Sequence, residues 1–194
     1  KLVTSADTDI SDLPAWNLDD LYTGRDAPEL KADFEKVTRG AEAFQKAYEG
    51  KVASLDGDGL GVAIADYEQI SETLGRILSY AGLLSAADKN DVEIAKFHQT
   101  AGERANSIST GLVFFTLEIN RLDEDALARM IEGSSELGRF APWLRDLRDF
   151  RPYQLSDELE RLLLEKQVIG RGAWNRLFDE TMADMRIDLD GEQL

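Results

Sequence analysis

The chain has no cysteine, a single histidine and four prolines in 194 residues. Without cysteine there is no disulfide, no thiolate metal site and no cysteine nucleophile. With His98 as the lone imidazole, a zinc centre of the His-Glu-x-x-His type cannot be assembled, because it needs two histidines on one helical face. No apolar run approaches the roughly 20 residues that cross a bilayer. The segment Lys1 to Pro14 is polar and acidic and does not read as a secretory signal. It opens on Lys1, so a segment removed or left out upstream is expected. Basic residues are also scarce: 22 Lys and Arg stand against 38 Asp and Glu, a net charge of −16. Such a field repels phosphate backbones and anionic lipid, so neither nucleic acid nor a membrane is an expected partner. The absence of cysteine fits a reducing compartment, and a cytoplasmic location is expected.

What the chain does have is helical periodicity. Leu30, Phe34, Val37, Ala41, Phe44 and Tyr48 recur at alternating four- and three-residue steps. Pro28 stands where a helix start tolerates a missing donor, and Gly50 offers a stop. Leu60, Ala63, Tyr67, Ile70, Leu74, Ile77, Ala81 and Leu84 form a second stripe; Ile94, His98, Ala101, Ala105, Ile108, Leu112, Phe115 and Ile119 form a third. Asn90 with Glu93 predicts an N-terminal capping box. The turn Asp88-Lys89-Asn90 is so short that the helices it joins must be antiparallel neighbours. A stripe of this spacing predicts shallow crossing, and the second and third helices should each run about 40 Å at 1.5 Å per residue. Gly75, Gly82, Gly102 and Gly111 lie inside them at up to about 1 kcal/mol each relative to Ala. Tight approach of a neighbour and loosely formed helix both account for such glycines.

Outside these stripes the pattern changes. Residues 1–27 read as an extended arm anchored by Trp16, Leu18, Leu21 and Tyr22. Asp123 caps a helix through Met130 and Ile131, and Pro142 to Phe150 forms another that ends at Arg151-Pro152. Ser156 caps Asp157 to Val168; Gly170 and Gly172 bracket a turn before a last helix to Met185. The alternation from Met185 to Gly191 has strand period. A lone strand needs a partner, expected beyond Leu194, so the chain is expected to stop inside a hairpin. The reading is therefore all-α: an arm over 1–27, a long antiparallel hairpin or bundle over 28–122, shorter helices packed on it over 123–185, and a strand beginning over 186–194.

Chemistry-bearing motifs are few. Leu55-Asp56-Gly57-Asp58-Gly59 has two acids of a calcium loop without the other ligands or the closing Glu. Gly57-Asp58-Gly59-Leu60-Gly61 lacks the trailing Lys-Ser/Thr of a phosphate loop. No Gly-x-Ser-x-Gly elbow supports a Ser-His-acid site. The acids at Asp123/Glu124/Asp125 and Asp157/Glu158 sit at helix starts, where capping and the helix dipole explain them. His98 falls in the third apolar stripe and is expected partly buried and hydrogen-bonded. Trp143, Tyr153, Trp174 and Phe178 stand at helical spacing among leucines and are expected in the core, with peptide contact open for one or two. No catalytic, cofactor-binding or metal-ligating residue is assigned.

One ordered set of residues carries a resemblance. It comprises Arg151-Pro152, Leu155-Ser156-Asp157-Glu158, Glu160-Arg161-Leu162-Leu163, Trp174 and Phe178-Asp179-Glu180, preceded far upstream by Trp16-Asn17-Leu18-Asp19-Asp20-Leu21-Tyr22. This set resembles the N-terminal region of the oligoendopeptidase F branch of the thimet-oligopeptidase-like zinc peptidases. Tyr153 departs from the pattern, standing where many relatives have His. The resemblance implies a helical wall of a deep channel that admits short peptides, facing a catalytic domain of the same protein that holds zinc. None of the zinc or base residues of that family has a counterpart here, so the chain is expected to be inert alone. An apolar face left where the catalytic half docks predicts that the isolated chain forms a homodimer. The alternative is a free-standing helical module that binds a partner protein and has no enzymatic activity.

Overall fold

Among the described residues, side-chain oxygens start four of the eight α-helices. In the computed structural model, which describes residues 16–186, 188–189 and 192–193, the fold is all-α. Helix α1 spans Pro28–Tyr48, α2 Gly57–Ala87, α3 Val92–Arg121, α4 Glu124–Gly133, α5 Ser135–Gly138, α6 Ala141–Asp149, α7 Asp157–Lys166 and α8 Arg171–Asp184. Asp56 caps α2 by accepting the Gly59 N–H at 2.8 Å. Asp123 caps α4 by accepting that of Ala126 at 2.9 Å. The acids of the would-be calcium loop are thus structural: Asp56 is a cap, and Asp58 accepts the Ser134 hydroxyl at 2.5 Å, tying α2 to the start of α5.

Two caps differ from expectation. The N-cap of α3 is Asp91, whose carboxylate accepts the N–H groups of Glu93 and Ile94 at 2.7 and 3.0 Å. Asn90 instead donates its own N–H to the Asp88 side chain at 2.9 Å. That local turn shifts the helix start by one residue and puts a full charge at the positive end of the dipole. At α7, Ser156 stands at the cap position, but its hydroxyl accepts no backbone bond. Asp157, Glu158 and Glu160 supply negative charge there, and Glu160 reaches back to the Leu155 N–H at 2.8 Å.

The stripe of α1 packs as its spacing requires: Leu30, Phe34, Val37, Ala41 and Phe44 are all buried. Phe44 stands edge-on to Phe115 of α3, ring centroids 4.9 Å apart, with Tyr48, Tyr67 and Phe114 around them. Edge-to-face pairs of this kind add to the burial itself. Helices α1, α2 and α3 therefore share one core, and α2 with α3 forms the long antiparallel hairpin. After α1 the chain turns through Gly50, at φ +74°, into a single 3-10 turn at Val52–Ser54. A left-handed φ is strained for any residue with a Cβ. Glu118 of α3 fixes this turn, accepting the N–H groups of Gly50 and Val52 at 2.7 and 3.2 Å.

Glycine has two roles in α2 and α3. A Cβ on Gly61 would lie 2.9 Å from the Leu137 nitrogen, and one on Gly57 2.8 Å from the Met130 carbonyl oxygen, so these two let α4 and α5 press onto α2. Gly75, Gly82 and Gly102 have nothing within 4 Å of that position, and a Cβ on Gly111 would make only an ordinary 3.7 Å contact with Gln45. Close packing within this chain therefore does not explain those four, although both helices run unbroken through them.

In the arm, Tyr22 is buried and Leu18 and Leu21 pack against the core, whereas Trp16 is 79% exposed and anchors nothing among the described residues. Residues 1–15 lie outside the described ones. So does part of the expected C-terminal strand; its described piece, β1 at Asp188–Leu189, pairs antiparallel with β2 at Glu192–Gln193, so that partner lies within the chain and not beyond Leu194 as expected.

Candidate functional site

The shorter helices leave one open seam. Helix α7 lies along α3, with Leu164 and, just past its end, Val168 half-buried, and α8 turns back toward the α2–α3 connection. Between α3 and this pair runs a groove of about 320 Å³, lined among others by Leu78, His98, Gly102, Asn106, Gln167 and Arg176. Few direct bonds cross the seam. Lys89 meets Asp179 at 3.3 Å, Arg161 meets Glu49 at 3.4 Å, and Arg121 pairs with Asp157.

His98 stands exposed on the rim of this groove, not partly buried as its place in the stripe implied. The neighbouring Phe97 takes the inward place, its ring 6.0 Å from that of Tyr80. The imidazole pKa is lowered, first by the desolvation that the groove walls impose and then by the positive charges of Lys89 and Arg176; Asp179 opposes them. Ser109 also lines the groove, but three helical turns from His98, about 16 Å along α3. The two therefore form no nucleophile–base pair. No group of three or more His, Cys, Asp or Glu able to hold a metal ion occurs among the described residues. These residues do not fit a zinc ion, and no chemical step follows from one here.

The aromatic residues part company. Trp143 is half-buried, its ring 6.2 Å from that of Tyr67, and packs on the core as expected. Tyr153, Trp174 and Phe178 do not; they are 78%, 72% and 65% exposed. Leu155, Leu159, Leu162, Leu163, Ile169, Leu177 and Met182 are exposed with them. Helical spacing identified an apolar face correctly and placed it in the wrong environment. What this arrangement offers is a recognition surface rather than a reaction centre.

Comparison with known proteins bears on the same segment. Residues 118–187 match the N-terminal peptidase family model described as Oligopeptidase F. The chain is 27% identical over 156 residues to Oligopeptidase PepF of Bacillus subtilis (strain 168), a match covering 80% of this chain and 23% of that protein. The fold superposes on the crystal structure of oligoendopeptidase-F from Enterococcus faecium with a TM-score of 0.73 at 18% identity, covering 86% of this chain and 32% of that one. This chain spans about a quarter of its curated relative. The ordered residues from Arg151 to Glu180 lie wholly inside the segment matched by the family, and in sequence the chain is similar to the N-terminal region of an oligoendopeptidase F.

Proposed function

We propose that this chain is the non-catalytic helical wall of a zinc metalloendopeptidase that hydrolyses short peptides. In this reading the zinc and its ligands belong to a catalytic domain of the same protein, and the 194-residue chain is inert alone. Its role is enclosure: a wall that keeps water and folded proteins from the scissile bond while a short peptide is held. The observation that carries the reading is the match to Oligopeptidase PepF along 80% of this chain but only 23% of that protein.

The test is cleavage of a fluorogenic short peptide by the native gene product, with and without a chelator, beside the 194-residue chain. Zinc-dependent cleavage by the former and none by the latter is the expected result. A folded native product that binds zinc and leaves short peptides intact would sink the proposal.

A further inference from the structure

The six helices α1 to α6 each bury at least one residue; α7 and α8 bury none. Yet their sequences are patterned for burial. Leu155, Leu159, Leu162 and Leu163 fall on one side of α7 and its entry, and Trp174, Leu177, Phe178 and Met182 recur at three- and four-residue steps along α8. All are 46–72% exposed. Single exposed apolar side chains are ordinary on a protein surface, but two such stripes on consecutive helices are not.

We propose that this α7–α8 face is where the rest of the polypeptide docks, meaning the part that corresponds to the greater length of the relatives. The inference rests on the reading above, that the chain is one part of a larger peptidase. Three observations select this occupant. The segment matched by the family, 118–187, includes both helices, so the family pattern extends over the stretch that this chain does not pack. The relatives supply the necessary extra chain, since the matches cover 23% and 32% of their lengths. A second copy is disfavoured, because each carries a net charge of −16.

The chemistry of the docking partner follows. It must present an apolar surface that accepts the Trp174 and Phe178 rings. Docking also explains the thin attachment of α8, which the exposed Lys89–Asp179 ion pair, of small worth, ties to the α2–α3 turn beside an open groove. The partner, not the bundle, then fixes α8 in place.

The test places Leu177→Gln with Phe178→Gln in two proteins: the 194-residue chain and the native gene product. In the chain the melting midpoint should move by less than about 2 °C; in the native product it should fall by more than about 5 °C, as loss of a docked apolar face requires. Equal shifts in the two proteins, small or large, overturn the inference. So does a doubled mass of the native product that the substitutions reverse, which would make a second copy the occupant. Hydrogen exchange on the unsubstituted proteins supplies a check that needs no variant to fold. The α7–α8 amides should exchange at least about tenfold more slowly in the native product, and equal rates overturn the proposal. Peptide cleavage is scored separately. A native product that cleaves but shows no difference refutes the docking face alone; one that shows the difference and does not cleave refutes the peptidase reading alone.

Discussion

Arg148 donates from Nη1 to the carbonyl oxygen of Ile119 at 3.1 Å, joining α6 to the end of α3. Its Nη2 donates to the Leu122 carbonyl at 3.0 Å and its Nε to Glu124 at 3.0 Å. The guanidinium side chain is only 8% exposed. One side chain thus adds a second donor to the Ile119 carbonyl, which also accepts the Leu122 N–H, bonds the carbonyl of the C-cap Leu122, and places positive charge at the negative end of the helix dipole. Arg148→Met should cost about 2 kcal/mol, the scale of a hydrogen bond to a charged group. Urea denaturation measures it, and a loss under about 0.5 kcal/mol would show that the helix end is held by packing alone.

Asp33 ties the arm to the bundle by accepting the Tyr22 hydroxyl at 2.8 Å and pairing with Arg76 at 2.9 Å. Burial, then the hydrogen bond and charge of Asp33, push the Tyr22 pKa up to about 12. A folded value above the unfolded one, near 10, means that the stabilisation is fully present below about pH 10. It is lost as the pH rises from there through about 12. Tyr22→Phe should lower stability at neutral pH by about 1.5–3 kcal/mol and flatten this alkaline decline. Urea melts at pH 8 and 11 would show it; an unchanged alkaline slope in the variant would refute the assignment.

Two glycines of α2 should respond to alanine with opposite signs. Gly61→Ala drives a methyl to 2.9 Å of the Leu137 backbone and should cost about 1–3 kcal/mol. Gly82→Ala meets open space in this chain and should gain up to about 1 kcal/mol from helix propensity. Thermal melts of the two variants decide it; equal signs would contradict the packing of α5 against α2.

Because His98 is the sole histidine, its imidazole proton resonance can be followed without ambiguity. Its midpoint should lie below the ordinary value of about 6.5 and rise toward it when Arg176 is replaced by Ala. For a depressed imidazole the unfolded chain binds the proton first. The contribution to stability is therefore complete above about pH 6.5 and falls as the solution is acidified through that value toward the lowered midpoint. A midpoint at or above 6.5 would show that the groove walls do not desolvate the ring.

Much of the fold is legible in the sequence because its helices announce themselves twice, by stripe and by punctuation. The α1 stripe is buried from Leu30 to Phe44, with Tyr48 half-buried at its end, and Asp123 caps α4 as read. The failures have physical causes. A stripe repeating every seven residues drifts by about 20° per heptad on a straight helix. At the far end of α3 that drift is in the sense that brings Phe97 to Tyr80 and leaves His98 at the rim. Asp88 closes its own turn and moves the cap from Asn90 to Asp91. Trp174 and Phe178 show the larger limit: periodicity reveals that a helix has an apolar face, but not whether the same chain covers it. The roles of Gly57, Gly61 and Arg148 depend on elements that meet only in the folded state, and no local pattern signals them.

The contiguous core begins at Tyr22 and ends at Leu144. During synthesis the ribosome releases the N-terminal end first, at roughly 5–20 residues per second. Everything needed for α1 to α6 to collapse is therefore available before α7 has been made. The bundle can stand as a finished template while α7 and α8 emerge, their apolar side chains still unclaimed. If the face docks as proposed above, then until its partner covers it those two helices are the sticky end of a nascent protein, and chaperones or unrelated chains compete for them.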